Sequence, residues 1–159
     1  MELAIQGVLI GVIATIGMDI WAAIVKYVLR LPTADLAMVG RWFGYMPQGA
    51  FVHRPISESA PIPNELVIGW IGHYVTGVVY GLAYLYIVQV FLPTGPSLNS
   101  ALVFGLITLV APWFIMQPAM GAGVFATKTP RPGLMRIINL SMHAVFGVSL
   151  YIGWLLIQE

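Results

Sequence analysis

Four long apolar runs divide this chain of 159 residues. Each is long enough to cross a hydrocarbon core, which takes about 20 residues as a helix. They fall at about 3–30, 66–92, 99–121 and 134–157, with ends fixed to about 2–4 residues. Lipid offers no water to backbone N–H and C=O groups, so a spanning run must satisfy them internally. The runs are therefore expected as helices. A membrane β-barrel needs alternating apolar and polar residues, and the runs do not alternate. The expected fold is all-α: one integral membrane domain over 1–159, a four-transmembrane-helix bundle. Its two larger connections lie at about 31–65 and 122–133.

Composition agrees with a membrane solvent. Charged residues make up 8% of the chain and hydrophobic ones 59%, where a soluble domain carries about 25% charged residues. The net charge of +1 implies no nucleic-acid partner. The chain has no cysteine, which excludes disulfides, thiolate nucleophiles and Cys-ligated zinc or iron–sulfur centres.

Charge is informative by position. Lys26, Arg30, Arg41, Arg54, Lys128, Arg131 and Arg136 all sit in or at the mouths of the two larger connections. Lys and Arg are retained on the cytoplasmic side of membrane loops. Both connections are thus expected in the cytoplasm and both termini outside it. Met1-Glu2 runs straight into apolar residues without a basic n-region, so the first run reads as an uncleaved helix.

The connection over 31–65 is long enough to have structure or function of its own. Leu36, Val39, Phe43 and Met46 recur at helical spacing, with Trp42 beside them and Arg41 towards the other side. This predicts a short amphipathic helix lying in the cytoplasmic interface. Pro47 to Pro63 is broken by prolines and is expected to be non-helical. Pro112 and Pro118 each remove a backbone donor from the third run and predict a kinked or broken helix. Leu92-Pro93-Thr94-Gly95-Pro96-Ser97 predicts a tight turn that makes the second and third helices antiparallel neighbours. Tyr84, Tyr86 and Trp154 suit the outer aromatic belt. His73 to Gly77 echoes His143 to Gly147, and Gly11 matches Gly105. The echo suggests two parallel-repeated helical hairpins.

Gly7, Gly11, Thr15, Asp19 and Ala23 form one stripe on the first helix. Small residues there let a neighbouring helix approach closely. Asp19 is the sharp member, because a charge at membrane depth costs about 2.5–3.5 kcal/mol on insertion scales. It is expected to face the interior and be paired or neutral. Lys26, two turns on, either reaches back to it or snorkels outward. His73 and His143 fall at nearly the depth of Asp19, with Gln117, Asn139 and Ser141 close to that level. These are the ligand- or ion-binding candidates: Asp19, His73, Gln117, Asn139 and His143. Two readings stay open for them, a proton or ion site and an interhelical polar clamp.

Two imidazoles on diagonal helices also raise haem, with Gly77 and Gly147 leaving room for a flat ring. Asp19, His73 and His143 have acceptable ligand types for zinc or iron, without a signature spacing. His53, beside Arg54 and Pro55, reads as solvated. Arg41, Arg54, Lys128, Arg131 and Arg136 make a cationic cytoplasmic rim, suited to anionic headgroups or to a phosphate- or carboxylate-binding mouth. Met116, Met120, Met135 and Met142 read as core filler.

Several runs together resemble one family. They are Gly17 to Trp21, Val39 to Pro47, Gly69 to Tyr74, Ala111 to Gly123, and Thr129 to Pro132 with His143 and Gly147. Their order and spacing resemble the bacterial inner-membrane proteins catalogued as domain of unknown function 2938. The resemblance implies a four-helix protein of that membrane and assigns no activity. Two function classes remain: a small transport-like or channel-like protein, expected to work as a homodimer, whose site is the Asp/His group, and an accessory subunit packed against a larger membrane complex. A haem- or metal-binding redox protein is a third. An intramembrane enzyme acting on a lipid-borne phosphate has no nucleophile motif in its favour.

Overall fold

The computed structural model describes residues 2–92 and 95–158. It is built of helices, with no strand among the described residues. Helix α1 (Leu3–Ala23) continues as a wide π-helical turn over Ile24–Val28. A short helix α2 (Leu36–Tyr45) follows, and then the long α3 (Glu65–Phe91). The third run holds α4 (Leu98–Ile107), a π-helical turn (Ala111–Met116) and the single-turn α5 (Gln117–Ala119). Helix α6 (Pro132–Leu156) closes the chain. The four apolar runs form helical spans at Leu3–Val28, Glu65–Phe91, Leu98–Ala119 and Pro132–Leu156, each long and apolar enough to cross a membrane. Below, "the basic end" is the end of the bundle where the chain's Lys and Arg residues gather.

Helix α1 packs between α3 and α6, and α4 packs on α6. Glycine decides these seams. A Cβ on Gly81 would meet Gly11 N and Cα at 2.7 Å, and one on Gly11 would meet the Gly77 carbonyl oxygen at 2.5 Å. On the other side, a Cβ on Gly105 would meet Gly147 Cα at 2.7 Å. The glycines of the sequence echo are thus contact glycines in both hairpins. Only backbone-to-backbone approach gives this separation, and dispersion across it replaces the hydrophobic drive that lipid does not supply. Ile10, Ala14, Tyr84, Leu85, Val88, Ala101, Phe146 and Leu150 fill the core between the seams.

Helices α3 and α4 run consecutively but touch chiefly through rings: Phe104 lies 6.3 Å from Tyr80 and 5.4 Å from Tyr84. The turn expected to join them has its centre, Pro93-Thr94, outside the described residues. Tyr84 corrects the belt assignment. Only 1% of it is exposed, and its hydroxyl lies 2.9 Å from Ser100 Oγ. Tyr86, two residues on, is 62% exposed, as a belt residue should be. Residues two apart on a strand share a face, but on a helix they differ by about 200°.

The third run breaks where its prolines predict. After Ile107 the Ala111 N–H bonds the Thr108 carbonyl, and a π-helical turn holds Pro112. Such a turn relieves the clash between a proline ring and the preceding turn.

Helix α2 departs from expectation. It does not present Arg41 away from the protein. It lies on the first two turns of α3, and a Cβ on Gly69 or Gly40 would overlap the carbonyl of Leu36 or Glu65 respectively. Val39, Gly40, Arg41 and Trp42 are all buried. The pair of facing glycines brings the two backbones together, which a helix resting on headgroups does not need.

Candidate functional site

The Asp19 side chain lies between α1 and α3. The imidazole N–H at Nε2 of His73 donates to Asp19 Oδ1 at 2.9 Å, and the Tyr74 hydroxyl donates to Oδ2 at 2.9 Å. Position 19 is two turns from Gly11, on the stripe that the glycine seam turns towards α3, so sequence and packing place it together. Trp70 flanks the group, with ring centroids 6.1 Å from His73 and 6.2 Å from Tyr74. The Asp19 and His73 side chains keep 24% and 22% of their surface accessible. Lys26 does not reach back: it is exposed, and its Nζ sits 5.4 Å from the Tyr27 ring centroid.

His143 belongs to a different pair. The Thr108 hydroxyl donates to the Gly105 carbonyl and lies 2.7 Å from His143 Nδ1. With its own proton given away, Thr108 accepts from Nδ1–H, which fixes the tautomer. A third link joins α1 to α6, where Trp21 Nε1–H donates to Ser141 Oγ at 3.0 Å. Asn139 and Gln117 take part in none of these. Asn139 Nδ2, Gln117 Oε1 and Trp113 Nε1 are buried without a hydrogen-bond partner. The polar belt expected from matched depth is therefore divided. Asp19 and His73 come together, His143 pairs with Thr108, and Gln117 and Asn139 stand apart from both.

The cofactor readings do not fit this arrangement. Among the described residues no three His, Asp or Glu side chains form a group able to hold a metal ion. The faces of Gly77 and Gly147, expected to admit a flat ring, are filled instead. Gly77 packs on Thr15 and Gly11, and Gly147 on Ala101 and Leu102. The glycines serve helix packing, so neither supplies the flat slot expected of it.

The connection between α2 and α3 is an ordered strap, and Arg41 is its hub. The guanidinium donates from Nε to Glu65 Oε2 at 2.8 Å and from Nη2 to Oε1 at 2.9 Å. Its Nη1 donates to the Ser59 carbonyl at 2.9 Å and the Ile56 carbonyl at 3.4 Å. Hydrogen bonding to Glu65 raises the Arg41 pKa above its ordinary value. Arg41 is only 5% exposed, so it leaves the expected cationic rim. A fork of donors needs carboxylate and carbonyl acceptors, and the strap supplies both. Arg54, Lys128, Arg131 and Arg136 remain exposed.

His53 is a second correction, because it is buried rather than solvated, at 9% exposure. Its Nδ1 lies 2.8 Å from Ser59 Oγ, and its Nε2 is buried without a partner. Its backbone N–H donates to the Ala119 carbonyl at 2.7 Å, and that of Ile56 to Met120 at 3.0 Å. The strap thereby ties α2 and α3 to the broken end of the third span.

Sequence reasoning missed Tyr74, Thr108, Trp21 and Glu65. Tyr74 is next to His73, and Glu65 begins the second apolar run, so both were visible as polar groups at membrane boundaries or depth. Thr108 carries no signal, since helical threonines routinely bond a carbonyl one turn back.

No curated protein and no solved structure matches this chain. A family model does, over residues 8–157, that of a protein of unknown function. With nearly all of its length inside that match, and with the four spans the resemblance implied, the chain belongs to the DUF2938 family.

Proposed function

We propose that this protein is a small transport-like membrane protein whose Asp19–His73–Tyr74 group takes up and releases a proton or small cation. The observation that carries this reading is the accessibility of that group. A carboxylate at membrane depth, bonded to an imidazole and a phenol, keeps about a quarter of its surface uncovered by the rest of the chain. Ionisable groups inside spans are costly and mark ion or proton pathways. An imidazole both donates and accepts a proton, which suits exchange. A four-span chain offers few walls for a pathway, so the working unit is a homodimer or a larger membrane assembly. The basic end faces the cytoplasm of a bacterial inner membrane, with both termini on the other side, because the Lys and Arg residues gather at that end.

Proton flux tests the activity. The purified protein is reconstituted into vesicles loaded with a pH-sensitive dye, and a pH gradient is imposed. The unchanged protein is expected to dissipate the gradient at least about tenfold faster than Asp19→Asn, a difference of about 1.4 kcal/mol in barrier. Equal rates for both proteins and for empty vesicles would overturn the reading.

One observation favours a second reading, an accessory subunit. Both Asp19 oxygens are already partnered within the chain, as interhelical glue requires. In that case Asp19→Asn lowers the melting midpoint by several degrees and leaves flux at the empty-vesicle rate.

Orientation is tested separately. The chain lacks cysteine, so single-cysteine variants report one position each. In intact cells an impermeant maleimide is expected to label Asn99→Cys and to spare Ser57→Cys until the membrane is opened. The reverse pattern would invert the topology.

A further inference from the structure

The third span and its neighbours form a feature that the Asp19 group does not use. Because α3 and α4 meet through rings, an open cleft of about 270 Å³ runs between them, lined by Tyr80, Ala83, Phe104, Thr108, Ala111 and Ile115. Its rim is apolar and outward-facing: Ile107 is 60% exposed and Ile115 58%. The cleft opens sideways, towards where lipid lies around a spanning bundle.

The basic end of this cleft meets a cluster of cations. Phe114, next to Ile115, packs on Phe125 with ring centroids 4.8 Å apart. The Phe125 carbonyl accepts from Arg136 Nε–H at 2.9 Å. The turn just before Phe125 is glycine-built, and close neighbours crowd it. A Cβ on Gly121, whose φ is +89°, would meet Arg54 Cα at 3.3 Å, and one on Gly123 would meet Lys128 Cγ at 3.0 Å. The Arg54 backbone, brought in from the strap, and the side chains of Lys128 and Arg136 thus border one turn, and all three residues are exposed. Acidic residues of the basic end do little to neutralise them. Glu65 is consumed by Arg41, and Asp35 caps α2 by accepting from the Ala37 N–H at 2.9 Å. Glu58, in the strap, is the remaining exposed acid near Arg54.

We infer that this is a binding site for an anionic phospholipid, with its phosphate at Arg54, Lys128 and Arg136 and one acyl chain in the α3–α4 cleft. A phosphate diester offers oxygens to several cations at once, and Arg is suited to it. Each cation near an anionic surface contributes about 1 kcal/mol to lipid attraction. The cleft starts within about two helical turns of the cation cluster, so a headgroup and its chain span both. A free phosphate would satisfy the cations alone and leave the cleft unused.

The full chain in neutral detergent is titrated with phosphatidylglycerol, with phosphatidylcholine of the same chains, and with inorganic phosphate. Binding is read by native mass spectrometry and by the melting midpoint. Phosphatidylglycerol is expected to bind at least about tenfold more tightly than phosphatidylcholine. Arg54→Gln with Lys128→Gln removes that preference, and Ala83→Phe, which fills the cleft, weakens both lipids. Equal affinity for the two lipids overturns the site, as does a double variant that keeps the preference. An Ala83→Phe protein with unchanged lipid affinity overturns the placement of the chain. Inorganic phosphate that reproduces the midpoint shift makes the ligand a free anion and overturns the lipid. Should those variants not fold, brominated phosphatidylglycerol gives the answer through Ile107→Trp, placed at the exposed rim of the cleft. Quenching of its added fluorescence, taken against the unchanged protein, is expected, and its absence would overturn the placement of the chain.

Discussion

Arg41→Met is expected to release the strap and to lower the melting midpoint more than any substitution in the polar belt. The side chain is held by four hydrogen bonds, two to Glu65 and one each to the Ser59 and Ile56 carbonyls. Methionine keeps the stem and its packing but removes every donor. Glu65 is then left as a partly buried carboxylate whose remaining partner is the Ile62 N–H, at 3.2 Å. Removing one member of such a pair costs far more than the pair contributes, because the other is left uncompensated. The midpoint should fall by several degrees, and protease should cut within the strap between Gly49 and Pro63. A paired replacement separates the causes. Arg41→Met with Glu65→Leu removes both charges, and its midpoint should lie above that of Arg41→Met alone. If the double variant is the less stable of the two, the strap depends on the charges themselves and not on their mutual cancellation. A strap that stays resistant to protease in Arg41→Met would show that its backbone bonds to Ala119 and Met120 are sufficient.

Gly81→Val is the second large effect, and it acts at the α1–α3 seam. The nearest atoms to a Cβ there are backbone: the Gly7 carbonyl oxygen, and Gly11 N and Cα at 2.7 Å. A flexible side chain could swing aside, but helix backbone cannot without separating the helices. Overpacking of this kind costs about 1–3 kcal/mol, and more where backbone must move. Separation of α1 from α3 also pulls Asp19 from His73 and Tyr74, which lie two turns along the same seam. The variant should therefore lose both thermal stability and, on the transport-like reading, flux. Gly133→Ala is the control, since nothing lies within 4 Å of a Cβ at that position. Its midpoint should hold or rise slightly, as alanine is the better helix former. Equal midpoints for Gly81→Val and Gly133→Ala, read by circular dichroism on heating, would show that the seam is not tightly closed.

What the sequence determined by itself is what the solvent forces. Lipid requires long apolar helices, so four spans and their approximate ends followed from run lengths alone. Proline removes a donor at a known position, so the break near Pro112 was legible before any packing was known. Gly11, Gly77, Gly105 and Gly147 were visible as a pattern because close helix approach demands residues without side chains. Asp19 stood out because a carboxylate at that depth is costly unless partnered.

Tertiary structure decided which partner each polar group takes. Depth along a helix is one coordinate, and it follows from counting residues. Rotation about the helix and the choice of neighbour are set by which seams close, and several closures share one set of depths. Asp19 and His143 had similar depths, yet the α1–α3 seam gives Asp19 to His73, while the α4–α6 seam gives His143 to Thr108. Arg41 was read as part of a cationic rim and His53 as solvated because both sit in a connection, where charge usually faces outward. The strap folds back on α3 and α5, and its carbonyls and Glu65 form a polar interior that only long-range contacts create. Burial of a polar residue depends on acceptors far away in sequence, and local pattern does not carry that information.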